Sequence, residues 1–156
     1  MRPLLLTLLL LGISFTSLAQ GQPERLKQFN LESGLAIQGY DPVAYFISNK
    51  AVKGNQQISL SIQGVIYYFA SEMNRTLFSK NYLKYEPQYG GWCAFAMGEY
   101  GKKVEVDPET FKILDGKLYL FYNAYFNNTL KSWNQNEARL KMNADKNWSN
   151  FLNNKQ

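Results

Sequence analysis

The spacing of apolar residues changes period several times along this chain, and each change marks an element. Ile58 to Ile62 alternates apolar and polar, Gln63-Gly64 supplies a turn, and Val65 to Phe69 is rich in β-formers, which predicts a hairpin introduced by Gly54-Asn55. Ser71 is a good N-cap for a helix over Glu72 to Lys80, with Met73, Leu77 and Phe78 facing inward. Tyr82 to Pro87 reads as a loop, and Trp92 to Met97 as a short helix ended by Gly98. Asp115-Gly116 between Phe111–Leu114 and Lys117–Phe121 is a strong signal for a second hairpin. Two helices follow, over about Ala124–Trp133 and Asn136–Asn150; Leu140, Ala144 and Trp148 recur every four residues on one face of the latter. No repeat or linker divides the pattern. It predicts one α+β domain over residues 37–152, with two β-hairpins, a central helix and C-terminal helices. Residues 20–36, largely polar with weak helical periodicity at Leu26 and Phe29, read as a loose N-terminal arm.

Ahead of that arm, residues 1–19 have the pattern of a signal peptide. Arg2 precedes the apolar run Leu4 to Leu11, and Ser17-Leu18-Ala19 places small residues before Gln20. The run is shorter than the roughly 20 apolar residues that span a bilayer. The expectation is export to the periplasm or the medium, with Gln20 as the mature N-terminus and no transmembrane anchor after cleavage. Roughly 137 residues remain, enough for one domain with its own core.

Charge and rare residues narrow the chemistry. The net charge of +5 falls by one when Arg2 is removed, and Lys102-Lys103 is the only adjacent basic pair. Nucleic-acid binding would cluster Lys and Arg on one face, so no nucleic-acid partner is expected. The chain has no histidine, which excludes Ser–His and Cys–His nucleophiles and histidine metal cages. It has one cysteine, so no internal disulfide can form. Aromatic residues make up 15% of the chain and tyrosine leads them, a composition that favours rings packed with their hydroxyls on backbone or water.

The single thiol lies in Pro87-Gln88-Tyr89-Gly90-Gly91-Trp92-Cys93. Free backbone N–H groups at Gly90 and Gly91 ahead of a short helix would stabilise a thiolate at Cys93, whereas Trp92, Ala94 and Phe95 around it favour a buried, inert residue. Cys93 and Met97, four residues apart, form a thiolate–thioether pair suited to a soft ion such as Cu(I) if both lie on one helix face. Asp41, following Tyr40 and preceding Pro42, is either the N-cap of a short helix or a cation-binding or general-base carboxylate. Tyr40 and Tyr89 are pocket candidates beside Cys93.

Five stretches carry a resemblance. They are Gly39-Tyr40-Asp41-Pro42-Val43-Ala44-Tyr45-Phe46, Tyr67-Tyr68-Phe69-Ala70-Ser71-Glu72 with Asn74-Arg75 and Phe78, Tyr85-x-Pro87-Gln88-Tyr89-Gly90-Gly91-x-Cys93-Ala94, Asp115-Gly116-Lys117-Leu118-Tyr119-Leu120-x-Tyr122-Asn123, and Ala144-Asp145-x-x-Trp148. In this order they resemble the exported YHS-domain proteins over about residues 35–150. The resemblance implies a small metal-associated α+β domain. In metal-associated members the strand-to-helix junction is similar to Tyr-Tyr-Phe-Cys-Ser-x-x-Cys, and here Ala70 and Asn74 stand at the two cysteine positions. The family's metal site is therefore not expected in this chain.

Three functions follow as expectations. The first is a non-catalytic domain binding a small ligand or metal ion near Cys93. The second is a thiol-dependent redox protein working with an external reductant. The third is a tyrosine-rich interaction module that docks on a membrane or envelope partner, which a buried cysteine and an exposed apolar patch would favour.

Overall fold

Two dipeptides carry the chain through the left-handed backbone region. Gln63 and Gly64 have φ of 49° and 85°, and Asp115 and Gly116 have 51° and 69°. Positive φ at both central residues matches the twist of the flanking strands, so both expected hairpins form. The computed structural model describes residues 22–153; the expected signal peptide at 1–19 lies outside the described residues.

In chain order the elements are α1 (Gln22–Gln28), β1 (Leu31–Glu32), β2 (Leu35–Ala36), α2 (Ala44–Ile47), β3 (Asn55–Ile62), β4 (Val65–Phe69), α3 (Glu72–Lys80), α4 (Tyr82–Tyr85), α5 (Ala94–Tyr100), β5 (Asp107–Leu114), β6 (Lys117–Phe121), β7 (Asn123–Ala124), β8 (Asn127–Asn128), α6 (Thr129–Gln135) and α7 (Glu137–Asn153). Four strands form one sheet in the order β1-β2-β4-β3, with β2 parallel to β4 at Leu35 and Ile66. The β5–β6 and β7–β8 hairpins stand apart from it. The chain is thus α+β, as expected.

Period-two alternation along β6 divides the core in two. Leu118 and Leu120 join Tyr45, Val65, Tyr67, Phe69, Phe78 and Cys93 in one cluster. Tyr119 and Phe121 join Met97, Trp133, Leu140 and Ala144 in the other, beneath the C-terminal helices. The strand is therefore buried on both faces.

Several expectations need correction. The 20–36 arm is not loose where it is described: residues 22–36 form α1 and the β1–β2 hairpin. Tertiary bonds hold this segment, with Trp92 Nε1 donating to Gln28 O at 2.7 Å and Asn30 N to Gly90 O at 2.8 Å. Helix α3 has the expected limits and its Ser71 cap accepts from Asn74 N, but Met73 points outward at 67% exposure. The inward positions are Asn74 and Phe78. Tyr82–Tyr85 makes a helical turn rather than a loop. The helix expected from Ala124 begins only at Thr129, because residues 123–128 form the β7–β8 hairpin.

Gly98 does not end α5. That helix runs to Tyr100 and stops at Gly101, whose left-handed φ of 61° suits a glycine cap. Gly98 serves packing instead: a Cβ there would lie 2.4 Å from the Leu140 carbonyl oxygen, so α5 and α7 touch backbone to side-chain position with no room for a methyl group. Gly98→Ala should lower stability by about 1–3 kcal/mol, read as a reduced urea midpoint at constant m-value. An unchanged midpoint would show that the two helices do not meet this closely.

Candidate functional site

The glycine motif is built for packing rather than for binding an anion. Tyr89, Gly90 and Gly91 are all left-handed, with φ of 55°, 61° and 86°. A Cβ on Gly90 would come within 2.9 Å of Trp148 Cη2 and 3.1 Å of Phe29 Cα. The Gly90 and Gly91 carbonyls accept from the Asn30 backbone N–H and side-chain amide. Tyr89 donates to Asp145 Oδ1 at 2.8 Å, and Trp92 holds Gln28. Together these residues splice the N-terminal segment to α7.

Cys93 sits at the N-cap position of α5 and has no accessible surface. Its backbone N–H donates to Val104 O at 2.9 Å, and its sulfur accepts from Tyr122 N at 3.3 Å. Sγ also lies 3.5 Å from Thr129 Oγ1. The Thr129 hydroxyl proton is committed to Tyr122 O at 2.9 Å, so in this last contact the thiol is the donor. The thiol is tied into the β6-to-α6 connection by both its donor and its acceptor capacity.

Met97 is also buried, but in the second core cluster, whereas Cys93 belongs to the first. Met97 N donates to Cys93 O at 3.0 Å, so the two residues sit one turn apart on α5, each packed among the side chains of its own cluster. Among the described residues no group of three or more Cys, Asp or Glu side chains is placed to hold a metal ion.

Asp41 carries a different arrangement. It is fully buried, and Oδ1 accepts from Val43 N at 2.8 Å and Ala44 N at 3.3 Å, capping the turn that leads into α2. Oδ2 accepts from Ala70 N at 2.8 Å and Asn74 Nδ2 at 2.6 Å, which joins that turn to the end of β4 and the start of α3. Four donors occupy the carboxylate's lone pairs. Ala70 and Asn74 thus point N–H donors at Asp41. Neither side chain carries the thiolate that a soft metal takes, so this junction does not fit the two-cysteine metal site of the YHS resemblance. Tyr40 leaves in another direction, donating to Glu109 Oε1 at 2.9 Å with Lys53 Nζ 4.2 Å from its ring centroid.

The remaining buried tyrosines solve the same problem of buried polarity. Tyr67 donates to Glu86 Oε1 at 2.6 Å and Tyr45 to Pro108 O at 2.9 Å. Burial, above all, pushes the Tyr45, Tyr67 and Tyr89 hydroxyls well above their ordinary range, and pushes Tyr119 up to about 12. None can serve as a proton acceptor near neutrality. Burial also raises the Glu86 carboxyl, against the opposing pull of Tyr67 and of Arg25, which pairs with the same Oε1.

One accessible feature does adjoin Cys93. A cleft of about 270 Å³ is walled by Phe95, Ala96, Tyr100, Val104 and Tyr122, and Asn127, Thr129 and the buried Cys93 also line it. Beside it the β7–β8 hairpin turns through Tyr125 and Phe126, whose exposures are 92% and 112%. Tyr100, in the cleft wall, is 62% exposed. Sequence reasoning found the cysteine but missed these walls and the hairpin tip. The tip has no glycine to announce a turn; only the run of asparagines around it, Asn123 and Asn127-Asn128, is a turn signal. A second cleft, of about 410 Å³, opens among Phe29, Trp148 and Leu152.

No protein-family model, curated protein or solved structure matches the chain.

Two measurements check this site. Asp41→Asn turns an amide N–H₂ toward buried donors and should cost about 2–4 kcal/mol in chemical denaturation. A cost under about 0.5 kcal/mol would remove the four-donor network. Cys93 should ignore a water-soluble disulfide reagent in the native protein at neutral pH and react at once in denaturant.

Proposed function

We propose that this protein is an exported, non-catalytic, YHS-like domain that works by binding an apolar partner on the aromatic face beside Cys93. The observation that carries the reading is the pair Tyr125 and Phe126, both almost fully exposed and next to an aromatic cleft. Soluble monomers scatter single apolar side chains over their surfaces, whereas a contiguous patch marks an interaction site. Neither Lys, Arg, Asp nor Glu lines the cleft, so the face offers contact area and two polar side chains rather than acid–base or ionic chemistry.

The thiol supports this reading over the redox one. A nucleophilic cysteine has to reach its substrate as a thiolate, and Cys93 has no accessible surface and uses its proton in a hydrogen bond. Export and the YHS affiliation rest on the N-terminal pattern and on the five motif stretches. The cleft itself supports a second reading, a small uncharged aromatic ligand, since its volume approaches the roughly 300 Å³ at which ligand pockets begin.

Nile red, a neutral apolar dye, tests the face directly. Dilute native protein should bind it saturably, and Tyr100→Ala should weaken binding by about five-fold, the loss of one aromatic contact of about 1 kcal/mol. Met73→Ser, which alters an exposed apolar residue on α3, should leave binding unchanged. Dye that stays dark, or that responds equally to Met73→Ser, refutes the assignment.

A further inference from the structure

We propose that Tyr125 and Phe126 insert into the surface of a lipid bilayer carrying anionic headgroups, with Lys102 and Lys131 meeting those headgroups. The proposal rests on the binding role assigned to this face and names what the face binds.

The chemistry of the face is layered. Asn123 pairs with Asn128 and Ala124 with Asn127, so Tyr125 and Phe126 are the two central residues of the β7–β8 turn, 92% and 112% exposed. Their φ values of 51° and 65° belong to a turn that Asn-Gly makes with less strain. Two aromatic side chains are thus held where neither turn geometry nor burial within the fold favours them. At the base of the turn Asn123, Asn127 and Asn128 supply amides. Beyond the amides come two cations. Lys131 is exposed three residues past Asn128, in the first turn of α6, and Lys102 is exposed two residues past Tyr100 of the cleft wall. Asn127 and Tyr100 line one cleft, so the hairpin and the end of α5 belong to one face.

The two positive charges are left for a partner. No ion pair or side-chain hydrogen bond ties Lys102 or Lys131 to another described residue. The neighbouring carboxylates are engaged or belong to another hollow. Glu99 pairs with Arg139, and Asp107 accepts from Thr110 and Asn123. Glu105 lines a separate cavity with Glu32 and Gln38.

This order matches a bilayer surface. Aromatic rings favour the level between acyl chains and headgroups, and a cationic rim adds attraction to anionic lipid. Lipid also moves aside for a protruding tip, whereas a protein partner must supply a pocket shaped for it. The lysines then select an anionic surface over a neutral one.

Co-sedimentation with vesicles tests the proposal, using the chain from Gln20 onward so that the apolar run Leu4 to Leu11 contributes nothing. Partitioning onto equal parts phosphatidylcholine and phosphatidylglycerol should exceed that onto phosphatidylcholine alone by about tenfold or more, and added salt should erase the difference. Tyr125→Asn with Phe126→Gly should weaken partitioning onto both vesicles by at least about tenfold. Its melting temperature should be unchanged or raised, because the new turn is less strained, which separates lost binding from lost folding. Lys102→Gln with Lys131→Gln should weaken binding to the anionic vesicles by about 25-fold, roughly fivefold per lysine, and leave the neutral ones unchanged. Lys80→Gln, on α3, should change either by less than about twofold.

Equal partitioning onto the two vesicles, or none, overturns the proposal, as does a loss that Lys80→Gln reproduces. Protein that ignores vesicles yet binds Nile red through Tyr100 overturns the bilayer as partner and leaves the binding role of the face standing. Dark Nile red with vesicle binding that still depends on the tip refutes the cleft reading alone. Protein that ignores vesicles and forms dimers lost in the tip double variant assigns the tip to a protein contact instead.

Discussion

Strand β6 runs through the interior with four consecutive residues, Leu118 to Phe121, buried and pointing alternately to opposite sides. Each fully buried side chain of this kind stabilises the fold by roughly 1.5–3 kcal/mol, and here each also anchors a different half of the molecule. Leu118 and Leu120 hold the sheet with α3, and Tyr119 and Phe121 hold the C-terminal helices through contacts with Trp133 at 5.8 Å and 5.5 Å between ring centroids. The glycine motif meets the same strand through Pro87, which bridges to Leu118. A change of register at β6 would exchange the two faces and leave neither core complete.

Among the described residues the buried side-chain polar atoms are matched donor for acceptor except Arg25 Nε, which has no partner. Asp41 gathers four N–H donors from three elements, and Glu86 gathers Tyr67 and Arg25. An unpaired carboxylate at either place would cost several kcal/mol, so each bonded set fixes where its elements start and stop. The abundance of tyrosine follows from this. Tyr45 and Tyr67 fill volume as aromatics and deliver a hydroxyl to a buried oxygen, and Tyr89 delivers its own to the exposed Asp145 carboxylate.

The least balanced part of the molecule is its exposed aromatic edge. Cys93, the chemically distinctive residue in sequence, is consumed by internal bonding to Tyr122 and Thr129. The same Tyr122 and Thr129 line the outer cleft, so the cysteine's hydrogen bonds help hold its wall. Function in this reading moves from the thiol to the rings about it.

Local chemistry by itself determined the two long hairpins, because Gln63-Gly64 and Asp115-Gly116 can take left-handed φ between alternating strands. It determined α3 from the Ser71 cap, and the face of α7 from the spacing of Leu140 and Ala144. These signals lie within a few residues of what they specify. Tertiary structure alone decided the rest. Met73 and Phe78 are both apolar on one short helix, and only the position of the sheet makes one exposed and the other buried. Gly98 read as a stop but is a contact point, since its need for space comes from Leu140, distant in sequence. Residues 22–36 carry little apolar periodicity and are ordered through bonds to Gly90, Gly91 and Trp92. The candidate site was legible only at Cys93. Its walls come from α5, the segments flanking β5–β6 and the β7–β8 hairpin, and no local pattern encodes the proximity of residues that meet only when separate elements pack.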